Sequence, residues 1–274
     1  MTTRIYPSNL AAFKERGEPL VCLTAYTAPM AQYLDPHCDL MLVGDSVAMV
    51  VYGMDSTLGA DLEMMRRHGQ AVVRATSKSC IVVDMPYGSY EESPEQAFRN
   101  ASMLLKETGC QAVKLEGGSE MAATISFLAQ RGVPVIGHIG LVPQSVNALG
   151  GYGSRGKDAD EAKRILHDAQ ALETAGAFAI VLEGVQETVA RRIADEINIP
   201  TIGIGASVVC DGQILVTDDM LGLTPGKKPK FVKEYAQMGE QIEEAVVSYA
   251  KEVKAREFPS EKYVYASNKK VKIA

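Results

Sequence analysis

The chain has no tryptophan, and its five cysteines (Cys22, Cys38, Cys80, Cys110 and Cys210) are odd in number, dispersed and nowhere spaced as C-x-x-C. That spacing argues against a disulfide framework or a zinc site, and leaves buried thiols in a reducing cytoplasm as the expected state. Long apolar runs are missing as well. No stretch approaches the roughly 20 residues that span a bilayer, so no membrane association is expected. Positive charge is scarce: 28 Lys and Arg face 34 Asp and Glu, for a formal net charge of −6. A nucleic-acid partner demands a dense basic patch and is not expected. The opening MTTRIYPSNLAAFKERGEPL has neither the apolar core of a secretory signal nor the acid-free composition of a transit peptide. There is no repeat, low-complexity tract or interdomain linker.

What is present is a core. Hydrophobic residues make up 46% of 274 positions and charged residues 23%, which is enough apolar material for one large α/β domain. Short Val/Ile/Leu runs mark strands at about 20–25, 40–44, 81–84, 112–116, 133–137, 179–183, 200–204 and 213–216. Helical patterns fill the gaps. The clearest begins at Ser93-Pro94-Glu95-Gln96, a capping box with proline at the first helical position and a closing glycine. Segments 119–132 and 160–176 repeat that logic, the latter stopping at Gly176. Strand, helix, strand at such intervals predicts a parallel sheet with crossover helices. Seven or eight units fit a (β/α)8 TIM barrel better than an open doubly wound sheet, although the seventh and eighth strands stand too close for a full helix between them. The expected organisation is a single barrel domain over 1–274, with a peripheral tail from about 257, where the helical period is lost.

The strand-like runs stop at residues that can do chemistry. LMLVG leads to Asp45-Ser46, IVV to Asp84, AV to Lys114 and Glu116, VPVIG to His138, and AIVL to Glu183. Catalytic groups of α/β barrels sit where strands end. Lys114 and Glu116 are two apart in a strand and so point to one side, into the lumen, with Val113 and Leu115 turned toward the outer helices. Singly, each has a structural reading: Asp45 as a helix cap, Asp84 as a turn former, Lys114 with Glu116 as an ion pair, Glu183 as a salt bridge to a loop. Together, on five strands, they point to a metal-assisted active site. Two or three carboxylates suit Mg²⁺ or a similar hard divalent cation, and Glu183 is a candidate general acid or base. His37, His68 and His167 fall outside the set. The loop Gly150–Lys157 nearly matches a phosphate-binding loop but has Asp158 where a Ser or Thr belongs, and no strand feeds it. It reads instead as a mobile lid over the barrel mouth.

The stretches LTAYTAPMA, MLVGDSVAMVVYGMDST, VVDMPYGSY, SPEQAFRNA, VKLEGG, VPVIGHIGLVPQSVNALGGY, VLEGV and PTIGIGASVVCDGQILVTDDMLGL follow one another from about residue 10 to 256. In order and spacing they resemble the ketopantoate hydroxymethyltransferase family. The resemblance implies a barrel of the phosphoenolpyruvate/pyruvate type, assembled as a homodecamer. It also implies transfer of a one-carbon unit from 5,10-methylenetetrahydrofolate to 3-methyl-2-oxobutanoate, in pantothenate biosynthesis. By that resemblance Asp45 and Asp84 hold Mg²⁺, with Glu116 in the metal site directly or through water. Asp45, Ser46, Asp84, Lys114 and His138 bind the keto acid, and Glu183 is the acid/base. Ala48, Ser207 and Cys210 depart from the commoner pattern without removing a chemical group. Two alternatives stand beside it: a metal-dependent carbon–carbon lyase of the same superfamily, whose Lys-Lys-Cys-Gly-His-like motif does not occur here, and a non-catalytic barrel scaffold.

Overall fold

Eight parallel strands close into a barrel in chain order in the computed structural model, which describes residues 4–265. They are β1 Leu20–Thr24, β2 Leu40–Val43, β3 Cys80–Asp84, β4 Ala112–Glu116, β5 Val135–Gly140, β6 Ala179–Glu183, β7 Thr201–Ile204 and β8 Gly212–Leu215. β8 returns to β1, pairing Leu20 with Gly212 through Leu23 with Leu215, so the sheet has no free edge and the open-sheet alternative is excluded. No described helix is long and apolar enough to cross a membrane.

Strand alternation divides the apolar residues into two cores. Leu20, Leu40, Val82, Ala112, Ile136 and Val181 fill the lumen. Val83, Val113, Leu115, Ile139, Ile180 and Leu182 instead join the layer packed under the helices. By the same parity Asp84, Lys114, Glu116, His138 and Glu183 belong to the lumen side, above the apolar plug. The outward placement of Val113 and Leu115 is as expected.

β5 differs from its expected span. It starts at Val135 and runs on to Gly140, so His138 lies inside the strand and not beyond its end. The reason is the ladder: Glu116 pairs with His138, and Gly140 with Glu183, so hydrogen bonding continues past the polar residue. Gly137 lets this strand take its helix closely. A Cβ there would sit 2.5 Å from Leu172 Cδ1, on the helix Ala159–Ala175.

The helix signals behave as their chemistry requires. Ser93 accepts the Gln96 N–H at 3.1 Å, and Gly109 closes the helix Pro94–Thr108 in the left-handed region at φ 78°. Asp158 accepts the N–H groups of Asp160 and Glu161, which explains a carboxylate where a phosphate loop would carry a hydroxyl. Segment 119–132 is less regular than expected. It opens as a 3₁₀ turn, Ser119–Met121, where Asp168 takes the Ser119 N–H, and becomes α-helical over Ala122–Ala129.

One buried carboxylate organises the opposite end of the barrel. Asp35, just after the helix Ala28–Leu34, accepts the N–H groups of Ser77 (2.7 Å), Lys78 (3.0 Å) and Ser79 (2.9 Å) and the Ser77 hydroxyl (3.2 Å). It thereby fixes the turn that launches β3. Burial pulls its carboxyl up, but these donors outweigh burial and hold it below its ordinary range. Asp35→Asn is expected to destabilise the fold by about 2–3 kcal/mol, because an amide cannot accept from all of these groups. The sign follows from the lowered pKa: the wild-type advantage is fully present above the unfolded-state value of roughly 3.9 and vanishes as pH falls through the lower folded value. Urea melts of both proteins between pH 7 and pH 3 check this, and an undiminished gap at the acid end would remove the carboxylate from the account.

The chain divides into two compact units. Among the described residues the barrel unit takes 4–217 together with 229–232, and a smaller unit takes 218–228 and 233–265. Within the smaller unit the helix Met238–Ala255 ends at Arg256, and Phe258 packs edge-on against Tyr249 with ring centroids 5.4 Å apart. Of the stretch from about 257 expected to be a peripheral tail, the part beyond 265 lies outside the described residues.

Candidate active site

Sheet register brings the charged residues together in pairs. Asp84 at the end of β3 is level with Lys114 on β4, and Glu116 is level with His138 on β5. Lys114 Nζ lies 3.1 Å from Asp84 Oδ1 and 3.2 Å from His138 Nδ1. Glu116 Oε1 is 3.3 Å from His138 Nδ1, and Glu183 Oε2 at the end of β6 is 3.2 Å from His138 Nε2. Asp45, two residues past β2, donates its backbone N–H to Asp84 Oδ2 at 3.0 Å. Asp45, Asp84, Lys114, Glu116 and His138 are all buried. The expected residues converge.

Several single-residue readings fall away on this geometry. Asp45 does not cap a helix through its side chain; its Oδ2 accepts from Gln144 Nε2 at 2.8 Å. Glu183 meets His138 and not a loop cation. Gly140, at φ 96°, permits the Glu183 placement, since a Cβ there would be 2.5 Å from the Glu183 carbonyl oxygen. Ser46 opens the short helical turn Val47–Val50, and its hydroxyl shares a 2.8 Å hydrogen bond with the Tyr26 hydroxyl.

Removing so many charges from water shifts their acidity. Burial raises the Asp45 carboxyl to about 8, reinforced by the neighbouring Asp84 and Glu116. Burial also raises Asp84, and the Lys114 ammonium with the Asp45 N–H offsets this only in part. Glu116 goes the other way: burial pulls it up, but His138, Lys114 and the Gln144 N–H hold it below its ordinary value. For His138, burial and the Lys114 charge favour the neutral ring, yet Glu116 and Glu183 outweigh them and raise it to about 9. Burial disfavours the Lys114 ammonium, but Asp84, Glu116 and Asp45 more than restore it.

The donor set fits a hard divalent cation at Asp45 and Asp84. Both carboxylates are buried side by side, burial pushes both toward the neutral form with Lys114 offsetting this only in part, and Asp84 Oδ1 has no aligned hydrogen-bond donor. Glu116 is more engaged, with Oε1 toward His138 and Oε2 accepting the Gln144 N–H at 2.9 Å. Among the described residues no group of three or more His, Cys, Asp and Glu side chains is already arranged to hold a metal ion. Asp45, Asp84 and Glu116 are therefore neighbours and not a closed ligand set.

Two site residues escaped the sequence reading. Gln144 sits in the 3₁₀ turn Pro143–Ser145 just after β5, and Tyr90 in the loop after β3; the Tyr90 hydroxyl is 2.6 Å from Gln144 Oε1. Neither lies on a strand, so no alternation marks them. The sole signal was an amide and a phenol flanked by strand ends.

The loop Gly150–Lys157 is tied down over its second half. Arg155 pairs with Val185 beside β6, and Glu161 Oε2 accepts the N–H groups of Gly156 and Lys157. Tyr152 is half exposed, and burial together with the charges of Asp45, Glu183 and Glu116 raises its phenol.

Comparison with known proteins agrees with this architecture. The family model described as ketopantoate hydroxymethyltransferase matches residues 4–261. The 3-methyl-2-oxobutanoate hydroxymethyltransferase of Paracoccus denitrificans is 59% identical over 263 residues, covering 96% of this chain and 95% of that protein. The enzyme of the same name from Brucella canis is 57% identical, covering 96% of each. Among solved structures, 2,3-dimethylmalate lyase, a member of the PEP mutase/isocitrate lyase superfamily, superposes with a TM-score of 0.54 at 15% identity, over 94% of this chain and 91% of that one. At that identity the likeness is one of fold alone, the closed parallel barrel.

Proposed function

This chain belongs to the ketopantoate hydroxymethyltransferase family and is an enzyme of that type, and from that premise we propose that it makes ketopantoate from 3-methyl-2-oxobutanoate with Mg²⁺, or a similar divalent cation, and 5,10-methylenetetrahydrofolate. The observation that carries the reading is the convergence of Asp84, Lys114, Glu116, His138 and Glu183, from four strands, with Asp45, just past the end of a fifth. Asp45 and Asp84 would hold the cation, with Glu116 behind them or joined through water. When bound, the cation supplies Lewis-acid polarisation of the keto acid, which acidifies its C3 proton.

The chain's own groups do the rest. The Lys114 ammonium offsets the charge of the substrate carboxylate, and the Ser46 hydroxyl, oriented by Tyr26, binds the same group. His138 faces Glu116 through Nδ1, and its Nε2, which has no aligned hydrogen-bond partner, donates to the substrate oxygen on which negative charge grows as C3 loses its proton. Glu183 moves the proton. The enolate carbon then bonds to the methylene carbon of the donor as one of that carbon's two bonds to nitrogen breaks. Water supplies the hydroxyl oxygen as the second carbon–nitrogen bond breaks, and tetrahydrofolate leaves with its two nitrogens carrying the proton from C3 and the proton from water.

The same reading makes the protein a cytoplasmic homo-oligomer acting in pantothenate biosynthesis, a decamer by family resemblance. Two features support it. All five cysteines are buried free thiols, with burial raising Cys38 to about 11, as suits a reducing compartment. On the helix Met238–Ala255, Ile242, Val246, Tyr249 and Val253 follow heptad spacing and are all exposed, a stripe that a second copy of the chain could cover.

Proton NMR of 3-methyl-2-oxobutanoate in D₂O tests the proposal. With protein and Mg²⁺ the C3 proton signal is expected to disappear, and adding methylenetetrahydrofolate should yield ketopantoate. Metal-independent exchange would defeat the cation's role, and exchange without product would defeat the folate donor.

A further inference from the structure

We propose that Gln144 is a positioning residue that fixes the Asp45 carboxylate relative to Glu116, and that Tyr90 sets the direction of its side-chain amide. This rests on the metal-assisted reading above. Gln144 is 5% exposed, and its polar atoms are fully engaged. Its Nε2 donates to Asp45 Oδ2 at 2.8 Å and to the Met85 carbonyl at 3.0 Å. Its Oε1 accepts from the Tyr90 hydroxyl at 2.6 Å, and its backbone N–H donates to Glu116 Oε2 at 2.9 Å. One residue thus touches two carboxylates that arrive from different strands.

The amide has only one workable orientation. Turned over, Oε1 would face the Asp45 and Met85 oxygens, and the NH₂ group would face the Tyr90 hydroxyl, leaving acceptors opposed to acceptors. Tyr90 enforces the choice. Its oxygen accepts the Glu116 N–H at 3.1 Å, and its single O–H is spent on Gln144 Oε1, the shorter of its two acceptor contacts. The chain of bonds from Glu116 N–H through Tyr90 and Gln144 to Asp45 is directional throughout. An amide neither titrates nor attacks, so what it can contribute at this place is geometry. Groups that orient metal-binding carboxylates in this way typically change metal affinity by about 10–100-fold when removed.

The test is calorimetric titration with Mn²⁺ of the wild type, Gln144→Met, Tyr90→Phe and the double variant, each with a thermal melt of the metal-free protein. Methionine keeps the volume of glutamine without its hydrogen bonds. The Mn²⁺ Kd is expected to rise about ten-fold or more in Gln144→Met and by less in Tyr90→Phe. The double variant should be no worse than Gln144→Met, because Tyr90 acts through Gln144. A merely structural role would lower the melting temperature and leave the Kd of the folded protein unchanged, and that result overturns the inference. Losses that add in the double variant overturn the part assigned to Tyr90. A wild type that binds no Mn²⁺ sinks the metal reading and this inference together, whereas equal binding by wild type and variant sinks this one alone.

Discussion

Asp84→Asn is expected to slow metal-dependent exchange of the C3 proton of 3-methyl-2-oxobutanoate by about 10³-fold, while the barrel remains folded. The magnitude corresponds to roughly 4 kcal/mol of lost transition-state stabilisation, in the range for removing a Lewis acid from a developing enolate. Asparagine is the informative substitution because its side-chain oxygen can still accept the Asp45 N–H that Asp84 Oδ2 accepts at 3.0 Å. What it removes is charge. Lys114 then loses the oxygen 3.1 Å from its ammonium, and an unpaired buried charge would cost several kcal/mol. That cost is softened here, since Asp45 and Glu116 also face Lys114 and remain to balance it. Activity should therefore collapse while stability falls only moderately. Exchange followed by NMR, beside a thermal melt, separates the two effects. Exchange at the wild-type rate would take Asp84 out of the chemistry.

That Asp84, Lys114, Glu116, His138 and Glu183 could be read at all follows from the two-residue period of a strand. In AVKLE the apolar residues Val113 and Leu115 claim the helix-facing side, which sends Lys114 and Glu116 into the lumen wherever the strand begins or ends. The face a residue takes does not depend on where its strand starts or stops. β5 runs past His138 to Gly140, yet the parity of His138, and so its face, is unchanged. Register was not legible in the same way. Nothing in the local sequence says that Asp84 stands level with Lys114, or Glu116 with His138; closure of all eight strands sets those pairings. Residues outside the strands were invisible for a related reason. Gln144 reaches Asp45 across 99 residues of sequence, and Asp35 clamps Ser79 across 44. Asp35 and Ser79 meet where the paired strands β2 and β3 begin, whereas Asp45, after β2, and Gln144, after β5, become neighbours once the barrel has closed.

Glu183→Gln should lower turnover by about 10²–10⁴-fold, the usual contribution of a positioned acid or base. Glutamine matches glutamate in shape and can still stand opposite His138 Nε2, now 3.2 Å from Glu183 Oε2, so packing at the end of β6 is preserved and proton transfer is lost. The placement of Glu183 favours action on the substrate carbon. It is the one carboxylate of the set that is partly open to solvent, at 17% side-chain exposure, while its neighbour His138 is buried at 3%. A group that takes a proton from a bound keto acid must both reach the substrate and hand the proton on, and only an oxygen with some access to water can do the second. Exchange of the C3 proton and formation of ketopantoate are thus expected to fall together in the variant. If exchange survives and product formation alone is lost, Glu183 serves the one-carbon donor and not the keto acid. If both persist, the proton passes through another group, and His138, which already bridges Glu116 and Glu183, becomes the residue to replace next.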